Sequence, residues 1–167
     1  HVDRHPLAEA KRFIEDYFAT YSGISYYMLH VKDLARTQGY VTTLLGRRRS
    51  IPELDARNPA LRAAGERMAI NMPIQGTAAD IVKIAMIRLD ARLREGGFRS
   101  RLLLQVHDEL LLEVPRDEVD RLVPVLRDAM EGAVPLDVPL TVDVKIGDDW
   151  ESMRPLTPVS YTHLRAH

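Results

Sequence analysis

The chain has 167 residues, 46% hydrophobic and 28% charged, enough to bury a core and too apolar for disorder. With 23 Lys and Arg against 24 Asp and Glu the formal charge is −1, so an anionic partner must be met by a local basic patch. The absence of cysteine excludes a disulfide framework, a Cys-based zinc site and a thiol nucleophile, and no apolar run is long enough to span a bilayer. A cytoplasmic protein that touches no membrane is expected.

The opening His1-Val2-Asp3-Arg4-His5-Pro6 carries no signal segment and reads as a chain entered partway, the start of a fragment. From Leu7 to Tyr21 the residues Ala10, Phe13, Ile14, Tyr17, Phe18 and Tyr21 recur at helical spacing, and a second helix is predicted over Ile24 to Thr37, with Gly23 and Gly39 as punctuation. Gly39 to Gly46 is β-branched and aromatic between glycines, which predicts a strand or hairpin arm leading into Arg47-Arg48-Arg49, a basic run placed on a connection.

Asn58-Pro59 is a helix start, with Asn as cap and Pro in the first turn, where its missing N–H is harmless. Pro73 is expected to end this helix near Met72, and Thr77-Ala78-Ala79-Asp80 resembles a capping box for the next, whose stripe Ile81, Val82, Ala85, Leu89 and Leu93 stops at Gly96-Gly97. Should the helix survive Pro73, Arg67, Asn71 and Gln75 share one face while Leu61, Ala64, Met68 and Met72 form the core face. A row of amide and guanidinium donors suits the minor groove of a duplex, where acceptors recur almost without regard to sequence. A solvated polar face explains the same row equally well.

The stretch Leu102 to Val114 sets Gln105, His107, Asp108 and Glu109 between two apolar runs bounded by Gly97 and Pro115. It reads as a hairpin with His107 and Asp108 at the tip, or as a buried helix, since Leu is no strong strand former. A hairpin tip often demands positive φ, which Gly or Asn adopts with less strain than His or Asp. A carboxylate held there is a good ligand for a hard cation such as Mg²⁺, and apolar walls would lower the local dielectric. A plain polar turn is the competing reading. Downstream, Val119, Leu122, Val123, Leu126 and Met130 mark a helix that Pro124 should kink or break, and Leu140, Val142, Val144 and Ile146 alternate as a half-buried strand. Asp143, Asp148 and Asp149 are further carboxylates near it. Residues 154–167 show no periodicity and are expected to be a disordered or non-native tail. Helices and strands mix without a βαβ beat, so the class is α+β with a small antiparallel sheet.

Three stretches then match a known pattern in order and spacing: Gly39 to Arg49, Glu66 to Asp80, and Gln105-Val106-His107-Asp108-Glu109. Together they resemble the C-terminal part of the polymerase domain of family A DNA polymerases, the bacterial DNA polymerase I type, over roughly residues 6 to 152, with Gly147-Asp148-Asp149-Trp150 similar to the family's C-terminal signature. The resemblance implies a partial right-hand fold, with residues 1–57 as the end of the fingers and 58–153 as the second half of the palm. It implies that Asp108 is one of two aspartates holding paired Mg²⁺, with Glu109 as accessory carboxylate and His107 and Gln105 near the primer terminus. Arg67, Asn71 and Gln75 would touch the minor groove of the primer-template; apart from the resemblance, the run Arg47-Arg48-Arg49, with Arg47 and Arg48 foremost, is a candidate for phosphate contact, and a solvated basic loop explains it at least equally well. In the family mechanism one metal activates the primer 3′-hydroxyl for attack on the α-phosphate of a dNTP, and both stabilise the leaving pyrophosphate. The family's Asp-Tyr-Ser strand motif and nucleotide-binding fingers helix have no counterpart here. The chain alone is therefore expected to be a monomer that binds Mg²⁺ poorly and polymerises nothing, and a duplex-binding module without catalysis is the alternative.

Overall fold

A computed structural model describes residues 7–156. Helices α1 (Leu7–Thr20) and α2 (Ser22–Gln38) open it, so the predicted break at Gly23 falls one residue inside α2. Gly39, at φ 78°, ends α2 in a left-handed cap, its N–H donating to the Ala35 carbonyl at 2.9 Å. The apolar face of α1 is not core among the described residues, with Phe13 72% and Ile14 52% exposed.

Strands β1 (Tyr40–Thr42) and β2 (Arg48–Ser50) then pair antiparallel, Val41 opposite Arg49. Two of the three arginines expected on a connection therefore lie in a strand. After a 3₁₀ turn at Pro52–Asp55, helix α3 runs unbroken from Pro59 to Glu95. Asn58 Oδ1 accepts the Ala60 N–H at 2.8 Å, the cap that the sequence predicts.

Pro73 does not end α3. Proline removes the donor that would meet the Ala69 carbonyl, yet the helix continues, and side chains bond the backbone of the same turn. The Thr77 hydroxyl donates to the Pro73 carbonyl at 2.5 Å, and the Tyr27 hydroxyl donates to the Ile70 carbonyl at 2.8 Å. Thr77 is thus a mid-helix residue bonded back one turn, and no second N-terminus forms there.

The chain divides into two compact units after Asp80, within α3, where the sequence reading set its boundary at 57/58. The first unit has a core of Val31, Ala35, Val41, Ile51, Leu54, Ala69 and Met72, drawn from α2, the β1–β2 hairpin, the 3₁₀ turn and the start of α3. Leu61, expected in the core, is 52% exposed.

In the second unit β3 (Arg101–Val106) and β4 (Glu109–Glu113) form an antiparallel hairpin, which decides against a buried helix. Leu89 and Leu93 of α3 pack with Leu122 and Ala129 of α4 (Val119–Glu131), and the β4 residues Leu110 and Leu112 pack against that cluster. Pro124 neither kinks α4 into two elements nor ends it: it lies early in the helix, and the carbonyl one turn back belongs to Asp120, an exposed residue open to water.

The predicted strand over Leu140 to Ile146 shrinks to β5 (Lys145–Ile146), paired with β6 (Arg154–Pro155). Side chains of α4 bond the backbone of Val142: Glu131 accepts its N–H at 3.0 Å, and Arg127 donates to its carbonyl at 2.7 Å. Arg154 and Pro155 thus belong to a paired strand and not to a tail, while 157–167 lie outside the described residues. The class is α+β, its strands in three two-stranded antiparallel sheets.

Candidate functional site

The β3–β4 hairpin leaves only His107 and Asp108 between paired Val106 and Glu109. His107 has φ 54°, and it is the one non-glycine residue with positive φ among those described. Such a conformation costs a residue with a Cβ about 1 kcal/mol. The carboxamide of Gln105 donates to the His107 carbonyl at 2.8 Å and so braces the strained residue from its own strand. An irregularity in register between Leu102 and Leu104 interrupts β3 below this point.

Gln105, His107, Asp108 and Glu109 are all exposed. The expected apolar walls do not enclose them, since Leu103 and Leu104 are themselves 53% and 41% exposed, so no low dielectric strengthens a charge at the tip. A hard cation takes six or more oxygen ligands, and among the described residues no group of three or more His, Asp or Glu is gathered to supply them. Asp148 pairs with Arg116 at 2.7 Å. Asp149 accepts the Ser152 N–H at 2.8 Å, and that bond with the Ser152 hydroxyl holds its carboxyl below the usual range. The residues present therefore do not fit a Mg²⁺ site by themselves, and no chemical step follows through such an ion.

The base of the hairpin has a different character. Glu118, only 6% exposed, accepts the Ser100 hydroxyl at 2.6 Å, the Arg99 N–H at 2.9 Å and the Ser100 N–H at 3.0 Å. Those donors, the Ser100 hydroxyl foremost, pull its carboxyl down to about 2. A buried carboxylate thus anchors the backbone that enters β3. Sequence reasoning missed it because Arg116-Asp117-Glu118 reads as ordinary surface charge.

On α3, Arg67, Asn71 and Gln75 are exposed at successive turns of one continuous helix, so the face that depended on surviving Pro73 exists. With Arg49, Met68 and Met72 they line a shallow groove of about 300 Å³. The Arg49 guanidinium lies 3.7 Å from the Met68 sulfur.

The other two arginines lie elsewhere. Arg47 is taken up within the fold: its Nε donates to Asp80 Oδ1 at 2.7 Å and its Nη2 to the Gly76 carbonyl at 3.0 Å. Arg48 stacks over the Tyr40 ring, 4.8 Å from its centroid. Of the run Arg47-Arg48-Arg49 that is a candidate for phosphate contact, Arg49 is the arginine that lines the groove. Strand alternation separates Arg48 from its neighbours, a signal hidden by placing the run on a loop.

Residues 4–152 match the model of DNA polymerase family A. The chain belongs to that family. Among family A proteins it is similar to DNA polymerase I of Deinococcus radiodurans, 54% identical over 145 residues, which cover 87% of this chain and 15% of that one. Against the thermostable DNA polymerase I of Thermus thermophilus it is 50% identical over 149 residues, 89% of this chain and 18% of the other. A solved structure of the polymerase domain of Pol1 from M. smegmatis, in complex with DNA primer-template and dNTP, superposes with a TM-score of 0.78 at 53% identity, covering 80% of this chain and 24% of that one. The chain thus spans less than a fifth of the length of these two curated relatives. No helix among the described residues is long and apolar enough to cross a membrane.

Proposed function

We propose that this family A chain is the carboxy-terminal piece of the polymerase domain of a bacterial DNA polymerase, serving nucleotidyl transfer of dNTPs to a primer 3′ end in replication and repair. The observation that carries the reading is the ordered trio of motifs, Gly39 to Arg49, Glu66 to Asp80 and Gln105 to Glu109, inside a family match over residues 4–152. In this reading residues up to 57 belong to the fingers and 58–153 to the palm, and the whole enzyme is a cytoplasmic monomer acting on primer-template DNA.

Asp108 is the carboxylate this chain supplies to a paired Mg²⁺ site, with Glu109 beside it and His107 and Gln105 toward the primer terminus. The partner carboxylate is not among its residues, so the chain alone catalyses nothing. Arg67, Asn71 and Gln75 face the minor groove, where their donors meet acceptors present at every base pair. Arg49, on the same groove, is suited to a neighbouring phosphate.

The test is to join the chain to an upstream family A half and assay primer extension: Asp108→Ala should abolish it, and wild-type extension by that variant would overturn the assignment. The groove also favours a second reading, a duplex-binding module without catalysis. It predicts that the isolated chain binds duplex at low salt and that Arg67→Ala with Gln75→Ala weakens this binding; unchanged affinity would sink it.

A further inference from the structure

The β1–β2 hairpin packs on α3 through the buried cluster that holds Val41, Ile51, Ala69 and Met72, and its loop is also bonded to α3 by polar groups. The Thr77 hydroxyl donates to the Pro73 carbonyl and accepts the Leu44 N–H at 2.9 Å, so one side chain serves both the proline turn and the hairpin loop. One turn on, Asp80, 9% exposed, holds Arg47, whose other arm reaches the Gly76 carbonyl. Arg47 N–H also donates to the buried Thr43 hydroxyl at 3.1 Å, which closes the loop on itself. The approach is tight enough that a Cβ on Gly76 would sit 2.7 Å from the Thr43 Cγ2. Strand β2 continues directly from Arg47, and Arg49 leaves it toward Met68.

We propose that Thr77 and Asp80 are positioning residues: acting through the β1–β2 hairpin, they hold Arg49 across the groove from Arg67, Asn71 and Gln75, so that helix and strand present one cationic, amide-lined groove to a nucleic-acid duplex. The duplex part rests on the function proposed above. The physical reason is reach. Core packing of Val41 and Ile51 holds the hairpin against α3, and two polar fastenings, at half-buried Thr77 and buried Asp80, fix the loop from which the three-residue β2 and its exposed arginine continue.

The experiment uses the full chain. Contact between Arg49 and the Met68 methyl is read by NMR as a nuclear Overhauser effect, with circular dichroism as the check on helicity. Thr77→Val, Asp80→Asn and Gly76→Ala should each lose that contact while helicity is kept, the last by steric displacement in a helix that alanine favours. Thr77→Ser, which retains the hydroxyl, should restore it. Duplex binding then supplies a readout that lost stability alone does not move: the salt dependence of affinity should fall by about one phosphate contact in Thr77→Val and not fall further when Arg49→Ala is added. An intact Arg49–Met68 contact in Thr77→Val and Asp80→Asn overturns the proposal. Loss of the contact with an unchanged salt slope upholds the fastening and overturns the duplex reading of the groove.

Discussion

The hairpin tip and the α3 groove are both polar and exposed, yet they are built in opposite ways. At the tip, His107, Asp108 and Glu109 stand on a strained turn braced by the Gln105 carboxamide, and the buried contacts lie below, in Glu118 and the Leu89 cluster. At the groove, Arg67, Asn71 and Gln75 ride on a long helix, and the hairpin that carries the facing Arg49 is bonded to that helix at Thr77 and Asp80. The difference teaches where rigidity is placed. A carboxylate meant to meet a ligand can sit on a turn if its foundation is stiff, whereas a two-sided groove needs its walls tied to each other.

If the tip is an ornament on a stiff foundation, the largest stability effect must come from beneath it. Leu89 is fully buried, and Leu89→Ala should lower unfolding stability by about 3 kcal/mol in urea titration. By contrast, Asp108→Ala should leave it within about 0.5 kcal/mol, as for an exposed residue with no structural partner. Similar losses from both would erase the distinction.

Glu118 sharpens the same contrast through pH. Its carboxyl titrates at about 2 in the fold against an ordinary 4.5, so its stabilisation is complete above about 4.5 and lost as pH falls toward 2. Glu118→Gln should be less stable than wild type at neutral pH, and the gap should close across that acid window. A gap that is constant with pH would remove the carboxylate from the account.

On the groove side, Arg67→Ala should weaken duplex binding at low salt by about 1 kcal/mol, measured by fluorescence anisotropy, with little change in melting temperature. The smallest effect returns to the tip. His107→Gly should stabilise the chain by about 0.5 kcal/mol, the relief of left-handed strain less the entropy of a glycine. A destabilised variant would mean that the His107 side chain supports the fold.

Much of this was legible before any coordinates. A tip at His107 and Asp108 was expected to demand positive φ, which the structure places at His107, and the Asn58 cap followed from Asn-Pro before an apolar stripe. The readings that failed share one cause. Pro73 and Pro124 predict a break or kink because proline lacks a donor, but whether a helix continues depends on its packing and its surroundings as well. The strand over Leu140 to Ile146 had the right alternation, yet its backbone found Arg127 and Glu131 of α4. The contacts of Arg47 with Asp80 and of Arg48 with Tyr40 likewise leave no trace in the local pattern.

The sequence by itself determined the family, the helix starts, the hairpin tip with its Asp108, and the spacing of Arg67, Asn71 and Gln75, because caps, turns and motif order are local in the chain. Only the tertiary structure decided that α3 runs through Pro73, that Arg49 lines the groove in place of Arg47 or Arg48, and that Glu118 anchors the hairpin. Each of those turns on a hydrogen bond or contact between residues far apart in sequence, and local pattern carries no record of such partners.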